Sequence, residues 1–359
     1  VYTRAAMASS VATMVREPPP PAPAEEQTGP GLPAATPPVS DGNAANGPEP
    51  GPGEGGGGKT DPGSSGLYQT VLIAAVVLVV LVLLFRKSED ATEADDEPKA
   101  RTFRTPGLAY SQQTAMGMVA KLHRLEADSD GRVKVVRTAS ELDACLRTGV
   151  FAAVLHFEGA EPIDPGLDSL CVFYEAGLRS LGLVWSRSNH FGHGVSFGFP
   201  SSPDTGPGLT DAGLALVRAC NQLGIVVDVS HLNETGFWDV CRVSDAPLVA
   251  THSAGHSLCP SARNLTDAQL DAIGESGGVV GVNFHVGFLR EDGEKNVDTP
   301  ISDIVRHIDY IATRLGIQHV ALGSDFEGAT MPAELGDVTG LPRIFRALGA
   351  LGYSASDLR

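Results

Sequence analysis

The feature that most constrains this chain is a short apolar run that recurs through its second half, separated each time by a stretch of helical length. FAAVLHFE (151–158), SLGLVWS (180–186), GIVVDVSH (224–231), APLVATHS (246–253), GVVGVNF (278–284) and HVALGSDF (319–326) are nearly continuous in Val, Leu, Ile, Ala and Phe. Runs of that length and composition are strands buried on both faces, which requires a parallel sheet covered by helices. The intervening segments fit. Residues 210–223 carry Leu214, Leu216, Val217 and Leu223. Residues 266–275 open with Thr266 and place Gln269 at capping-box spacing. Residues 300–315 begin with Pro300, which suits a first helical turn, and align Ile304, Ile308 and Ile311 on one face. Such alternation predicts an α/β fold, either a (β/α)8 barrel or an open doubly wound sheet. No glycine-rich phosphate loop follows any of the runs, which disfavours a nucleotide-binding sheet.

The ends of the runs narrow the choice. One finishes on Glu158, another on His231, a third on His252 and the last on Asp325. In a barrel the C-terminal ends of all strands converge on one mouth, where catalytic groups are drawn from several of them. Two imidazoles and two carboxylates gathered there make the ligand set of a metal-dependent hydrolase.

The rest of the chain divides by composition. Residues 1–66 end in a Pro/Gly-rich stretch almost free of large apolar side chains, expected to be disordered because it has too little surface to bury. Residues 67–85, LYQTVLIAAVVLVVLVLLF, contain no charge and are followed at once by Arg86 and Lys87. At a rise of about 1.5 Å per residue this segment is long enough to cross a hydrocarbon core. It predicts an uncleaved single-pass anchor in the lipid bilayer. More Lys and Arg flank it on the C-terminal side, which favours a cytoplasmic location for the C-terminal region. Residues 86–110 read as charged linker and 111–359 as the globular region. The formal charge of -17, with no basic cluster, excludes a nucleic-acid partner. The five scattered cysteines form no metal knuckle or disulfide framework and read as buried free thiols.

From about residue 118 onward the sequence resembles the membrane dipeptidase family, also called renal dipeptidases, of the metal-dependent hydrolase barrels. The likeness rests on HFEGAEPID, DVSHLNETGFWDV, APLVATHSAGHSLCPSARNLTD, GGVVGVNF and ALGSDFEGA, in that order and spacing. It implies a (β/α)8 barrel with two zinc ions that hydrolyses dipeptides. In that reading Glu158 bridges the ions, and His231 and His252 complete the second zinc. Arg263 grips the C-terminal carboxylate of the substrate as a bidentate fork. Asp325 shuttles the proton from the attacking hydroxide to the leaving amine.

Two departures from the family pattern accompany the likeness. The family's first strand ends in His-x-Asp, which supplies the remaining ligands of the first zinc, and no such motif precedes residue 118. His123 and Asp128 have the wrong spacing and lie in a helical pattern. Trp185 stands where many members carry a histidine that contacts the reaction's oxyanion; His190 and His193 lie nearby, but as loop histidines they read as ordinary solvated or packing residues. The chain begins on Val1, and Ser354 and Asp357 near its end look like the start of a helix. The expectation is a barrel without its first strands and final helix, from a fragment or misjoined gene model, with one recognisable zinc site. A membrane-tethered pseudoenzyme or binding module with one metal, and another hydrolase such as a deaminase or lactonase, are the competing readings. Oligomeric state, a homodimer included, is left open.

Overall fold

The apolar runs form strands, but each strand is shorter than its run. A computed structural model describes residues 105–358. The tail, the predicted span at 67–85 and most of the linker lie outside the described residues. Among the described residues no helix is long and apolar enough to cross a membrane. The first helix, α1, runs Leu108–Asp128, so the folded region starts a little before the expected boundary at 111. It buries Ala115, Val119 and Leu122, and His123 faces away from the core to meet Ala176 O at 2.8 Å and Glu126 at 3.5 Å.

A two-stranded parallel sheet comes next, β1 (Val133–Val135) with β2 (Phe151–Ala153), joined by α2 (Ala139–Thr148). The run at 151–158, expected as one strand, breaks at Val154 into β2 and β3 (Leu155–Glu158). The chain then alternates through α3 (Asp168–Glu175), β4 (Leu178–Gly182), α4 (Asp211–Leu223), β5 (Val226–Asp228) and α5 (Glu234–Val243). It continues through β6 (Val249–Ser253), α6 (Asp267–Glu275), β7 (Val279–Val282), α7 (Ile301–Leu315), β8 (Val320–Leu322) and α8 (Leu341–Ala350). Strands β3 to β8 make one six-stranded sheet in chain order, every pair parallel. This is the strand order of a (β/α) barrel segment, because a doubly wound sheet reverses direction at a switch point and this one does not.

The helices form where their termini and faces dictate. Thr266 caps α6 in a reciprocal capping box with Gln269, a device that contributes about 1 kcal/mol. On α7, Ile304, Ile308 and Ile311 are all buried against the sheet, as their spacing predicts, while Pro300 acts as the N-cap rather than a first-turn residue. Near the end of the chain Ser354 and Asp357 exchange side-chain bonds with each other's backbone N–H at 2.7 and 3.2 Å, and among the described residues this segment is a turn. Close strand packing depends on two glycines. A Cβ on Gly281 in β7 would lie 2.0 Å from Thr251 O, and one on Gly323, just past β8, 2.3 Å from the same atom.

Free thiols occur as expected, but two are not buried: Cys145, Cys220 and Cys259 are buried, Cys241 is half-buried and Cys171 is exposed. Burial pushes Cys220 up to about 12 and Cys259 up to about 11, which keeps both as inert thiols.

Candidate metal centre

The sequence-predicted ligands meet at the C-terminal end of the sheet. Glu158 is the last residue of β3 and His252 lies near the end of β6. His231 sits just beyond β5, not in it, and is turned back over the strand ends by a left-handed backbone, φ 67°. A non-glycine residue held there costs about 1–3 kcal/mol, a strain that concentrates at functional sites. Glu158 Oε1 lies 2.8 Å from His231 Nε2 and 3.0 Å from His252 Nε2, and the two Nε2 atoms are 2.9 Å apart. Among the described residues these three are the one group of His, Cys, Asp or Glu placed to hold a metal, and all are buried.

Proton counting shows why a cation fits. Both imidazoles have their Nδ1 atoms engaged by hydroxyls, Ser186 Oγ at 2.7 Å from His231 and Thr251 Oγ1 at 2.7 Å from His252. Each Nε2 then faces the same carboxylate oxygen, and three such atoms within 3.0 Å need a proton or a cation between them. Glu158 Oε2 is buried without a hydrogen-bond partner. An N,N,O donor set of this kind suits a divalent transition-metal ion.

The titration of the group shows a proton able to take that place. Burial disfavours the Glu158 carboxylate, yet hydrogen bonds and charge from His231 and His252 hold it well below its ordinary value. Burial, helped by the Arg263 charge, drops His231 to about 3, so its imidazole is neutral and free to bind metal. At His252 burial is outweighed by the hydrogen bond and charge of Glu158, and the pKa is raised.

Arg263 and Asp325 flank the group. Arg263, on the loop after β6, is 3% exposed and donates through Nη1 to Ser253 Oγ (3.2 Å) and through Nη2 to His252 O (3.0 Å). Its Nε is buried with no partner, so one edge of the guanidinium remains to receive an acceptor. Burial lowers its pKa to about 10, and it stays charged at neutral pH. Asp325 lies beyond the end of β8, again in the left-handed region at φ 59°. Asn283 Nδ2 donates to its Oδ2 at 3.2 Å. Gly328 leaves room for the other oxygen, since a Cβ there would stand 2.3 Å from Asp325 Oδ1. Burial raises the pKa of Asp325, with the Glu158 charge adding to the effect.

Other residues near the mouth have structural partners. His190 and His193 are not part of the metal group: His190 packs edge-on against Phe191 and His193 Nδ1 meets Ser188 Oγ at 2.9 Å. Trp185 lays its ring 5.8 Å from that of His231. Asn233 and Asn264, both in glycosylation-type triplets, are buried. Asn233 caps α5, and Asn264 donates to Cys259 O and Phe288 O at 2.9 Å each. Sequence reading missed Asp228, Thr251, Ser186 and Asn283, the polar residues behind the site. The one signal available was the polar residues interrupting the apolar run in DVSH.

A parallel αβ sheet with a buried Glu/His/His group at its C-terminal mouth defines a metal-dependent hydrolase architecture. The family model for membrane dipeptidases, Peptidase M19, matches residues 94–359. An uncharacterised protein of Klebsiella pneumoniae is 53% identical over 235 residues, 66% of this chain and 87% of its own length. A dipeptidase of Claviceps purpurea is 27% identical over 251 residues, 69% of this chain but 57% of its own. Among solved structures, a metallopeptidase from Rhodobacter sphaeroides liganded with a phosphinate mimic of the dipeptide L-Ala-D-Ala superposes with TM-score 0.68 at 52% identity. That match covers 69% of this chain and 71% of the other. An M19 metallopeptidase called dipeptidase AC gives TM-score 0.70, also at 52% identity, over 70% of this chain and 75% of its own. The chain belongs to the membrane dipeptidase family, Peptidase M19.

Proposed function

We propose that this protein is a zinc-dependent dipeptidase. The observation that carries the reading is the convergence of Glu158, His231 and His252 with a buried arginine edge on one side and a raised-pKa aspartate on the other. A zinc ion held by the three ligands would supply a water ionised near neutral pH, the nucleophile a peptide carbonyl otherwise lacks.

The remaining chemistry falls to the chain's own residues. The open edge of Arg263 receives the C-terminal carboxylate of the substrate, which sets the length of peptide that fits. Asp325 takes the proton released in the attack and delivers it to the leaving amine. Its raised pKa brings it closer to neutrality, where a carboxyl can both accept and give. Asn283 fixes one oxygen of that carboxylate and leaves the other to move the proton.

The described ligand set accounts for one ion, and the stoichiometry we propose for this chain is one zinc. We further propose that residues 67–85 anchor the protein in a bilayer. The experiment is elemental analysis of purified, zinc-equilibrated protein alongside chromatographic assay of dipeptide hydrolysis. One zinc per chain and zinc-dependent cleavage are expected. Folded protein that binds no zinc would refute the site.

A further inference from the structure

The two imidazoles are held from behind in unequal ways. Ser186 Oγ, behind His231, can donate to Nδ1 or accept from it, since nothing else dictates where its proton lies. Thr251 Oγ1, behind His252, has no such freedom. It lies 2.5 Å from Asp228 Oδ2, and a carboxylate oxygen can only accept, so the threonine proton must point at Asp228. The hydroxyl then meets His252 Nδ1 with a lone pair, at 2.7 Å, and the histidine proton must sit on Nδ1. In the neutral imidazole, the form that binds a metal, His252 Nε2 is then left bare, facing Glu158 Oε1 at 3.0 Å.

Asp228 is built to hold this direction. It is 1% exposed at the end of β5, and its other oxygen, Oδ1, accepts from the backbone N–H groups of Ser230 and Thr251, both at 2.9 Å. His156 Nε2, on its far side, stands 3.7 Å from Oδ2, too distant for a hydrogen bond. Ser230, which donates its N–H to Asp228, meets only the His252 backbone N–H with its hydroxyl, so among the described residues Thr251 is the side chain that joins Asp228 to a ring nitrogen of the metal group.

We propose that Asp228 and Thr251 are positioning residues. They lock His252 in the Nδ1–H tautomer and make it the imidazole on which metal affinity chiefly depends. This rests on the metal site proposed above. Partners of this kind orient metal-binding histidines, and their loss weakens affinity about 10–100-fold.

Asp228→Asn tests the direction of the proton chain. The two backbone donors require an acceptor at the Oδ1 position, so the amide oxygen must take it. The –NH2 is then forced toward Thr251, whose hydroxyl must turn round and donate to His252 Nδ1. The tautomer reverses and the Nε2 proton blocks the metal. The variant is nearly isosteric and keeps both backbone bonds. Zinc affinity of the full chain is measured by competition with a chromogenic chelator. Imidazole nitrogen NMR of the metal-free protein reads the tautomer. Asp228→Asn should bind zinc about 10–100-fold more weakly and show His252 protonated on Nε2. Thr251→Val should weaken binding to a similar degree, Thr251→Ser should stay within about threefold, and Ser186→Ala should lose less than Thr251→Val. Unchanged zinc affinity in Asp228→Asn and Thr251→Val, with wild type binding normally, would overturn the relay alone. Equal losses in Ser186→Ala and Thr251→Val would also overturn it. Failure of wild type to bind zinc would instead remove the metal site on which the relay depends.

Discussion

If Arg263 receives the substrate's carboxylate as proposed, replacing it by lysine should act chiefly on substrate binding. Arg263 spends part of its fork on Ser253 Oγ and His252 O, and the buried Nε edge is what remains. A carboxylate received there gains two charge-assisted bonds. Lysine offers a single nitrogen on a flexible stem and can keep at most one of them in the same place. Losing a hydrogen bond between charged groups costs about 1.5–3 kcal/mol, and each 1.4 kcal/mol is tenfold, so KM should rise about 10–150-fold. The kcat should change far less, because in the proposed reading the reacting carbonyl lies at the metal end of the site. Steady-state kinetics of wild type and variant on a free dipeptide and on its C-terminal amide separate the contributions. Wild type should process the amide about as poorly as the variant processes the free acid. Equal turnover of free and amidated dipeptides by wild type would remove Arg263 from this role, and so would a variant whose kcat falls while KM stays put.

Asp325→Asn should lower kcat by about 10²–10⁴ with KM within a few-fold, because the amide cannot carry a proton. Asparagine also tolerates the φ of 59° at that position, so circular dichroism should match wild type. Acid stability should depend on His307, which is buried, accepts from Gly255 N–H at 3.1 Å and meets Leu289 O at 3.0 Å. Burial lowers its pKa from 6.5 to about 4, so below pH 6.5 the unfolded chain binds a proton the folded chain refuses. Stability therefore falls between pH 6.5 and 4, by about 3 kcal/mol in all at 1.36 kcal/mol per unit. In urea titrations across that window, a wild-type slope no steeper than that of His307→Gln would refute the assignment. Finally, the full chain should stay in membranes through a carbonate wash, since an apolar span is not held by charge, and complete release would exclude the anchor.

The metal group was legible in the sequence because barrels put strand ends in one place. Glu158, His231 and His252 were drawn from three separate runs and lie within hydrogen-bond distance of one another. The strands themselves were over-read. Leu183 and Val184, past the end of β4, are fully buried, so apolar composition persists into loops packed under the mouth and does not mark where pairing stops. The same blur hid Asp228. Inside a valine-rich run, one aspartate reads as an interruption, and only the register of β5 beside β6 reveals that it reaches Thr251. Ser186 and Asn283 were invisible for another reason: single small polar residues carry no periodic signal, and their partners are distant in the chain.

The left-handed backbone at His231 and Asp325 has a consequence for how this site can diversify. Few side chains accept that conformation, chiefly glycine, asparagine, aspartate and histidine. Random substitution at these two positions is thus filtered by the main chain before any chemistry is tried. A β-branched or bulky newcomer would disturb the loop before it could serve as a different ligand or acid. Glu158 and His252 stand on ordinary strand backbone and face no such filter. Descendants of this chain that acquire new reactions are therefore expected to change at the strand-borne ligands and the surrounding loops, while the two turned-back positions move within a vocabulary of four residues.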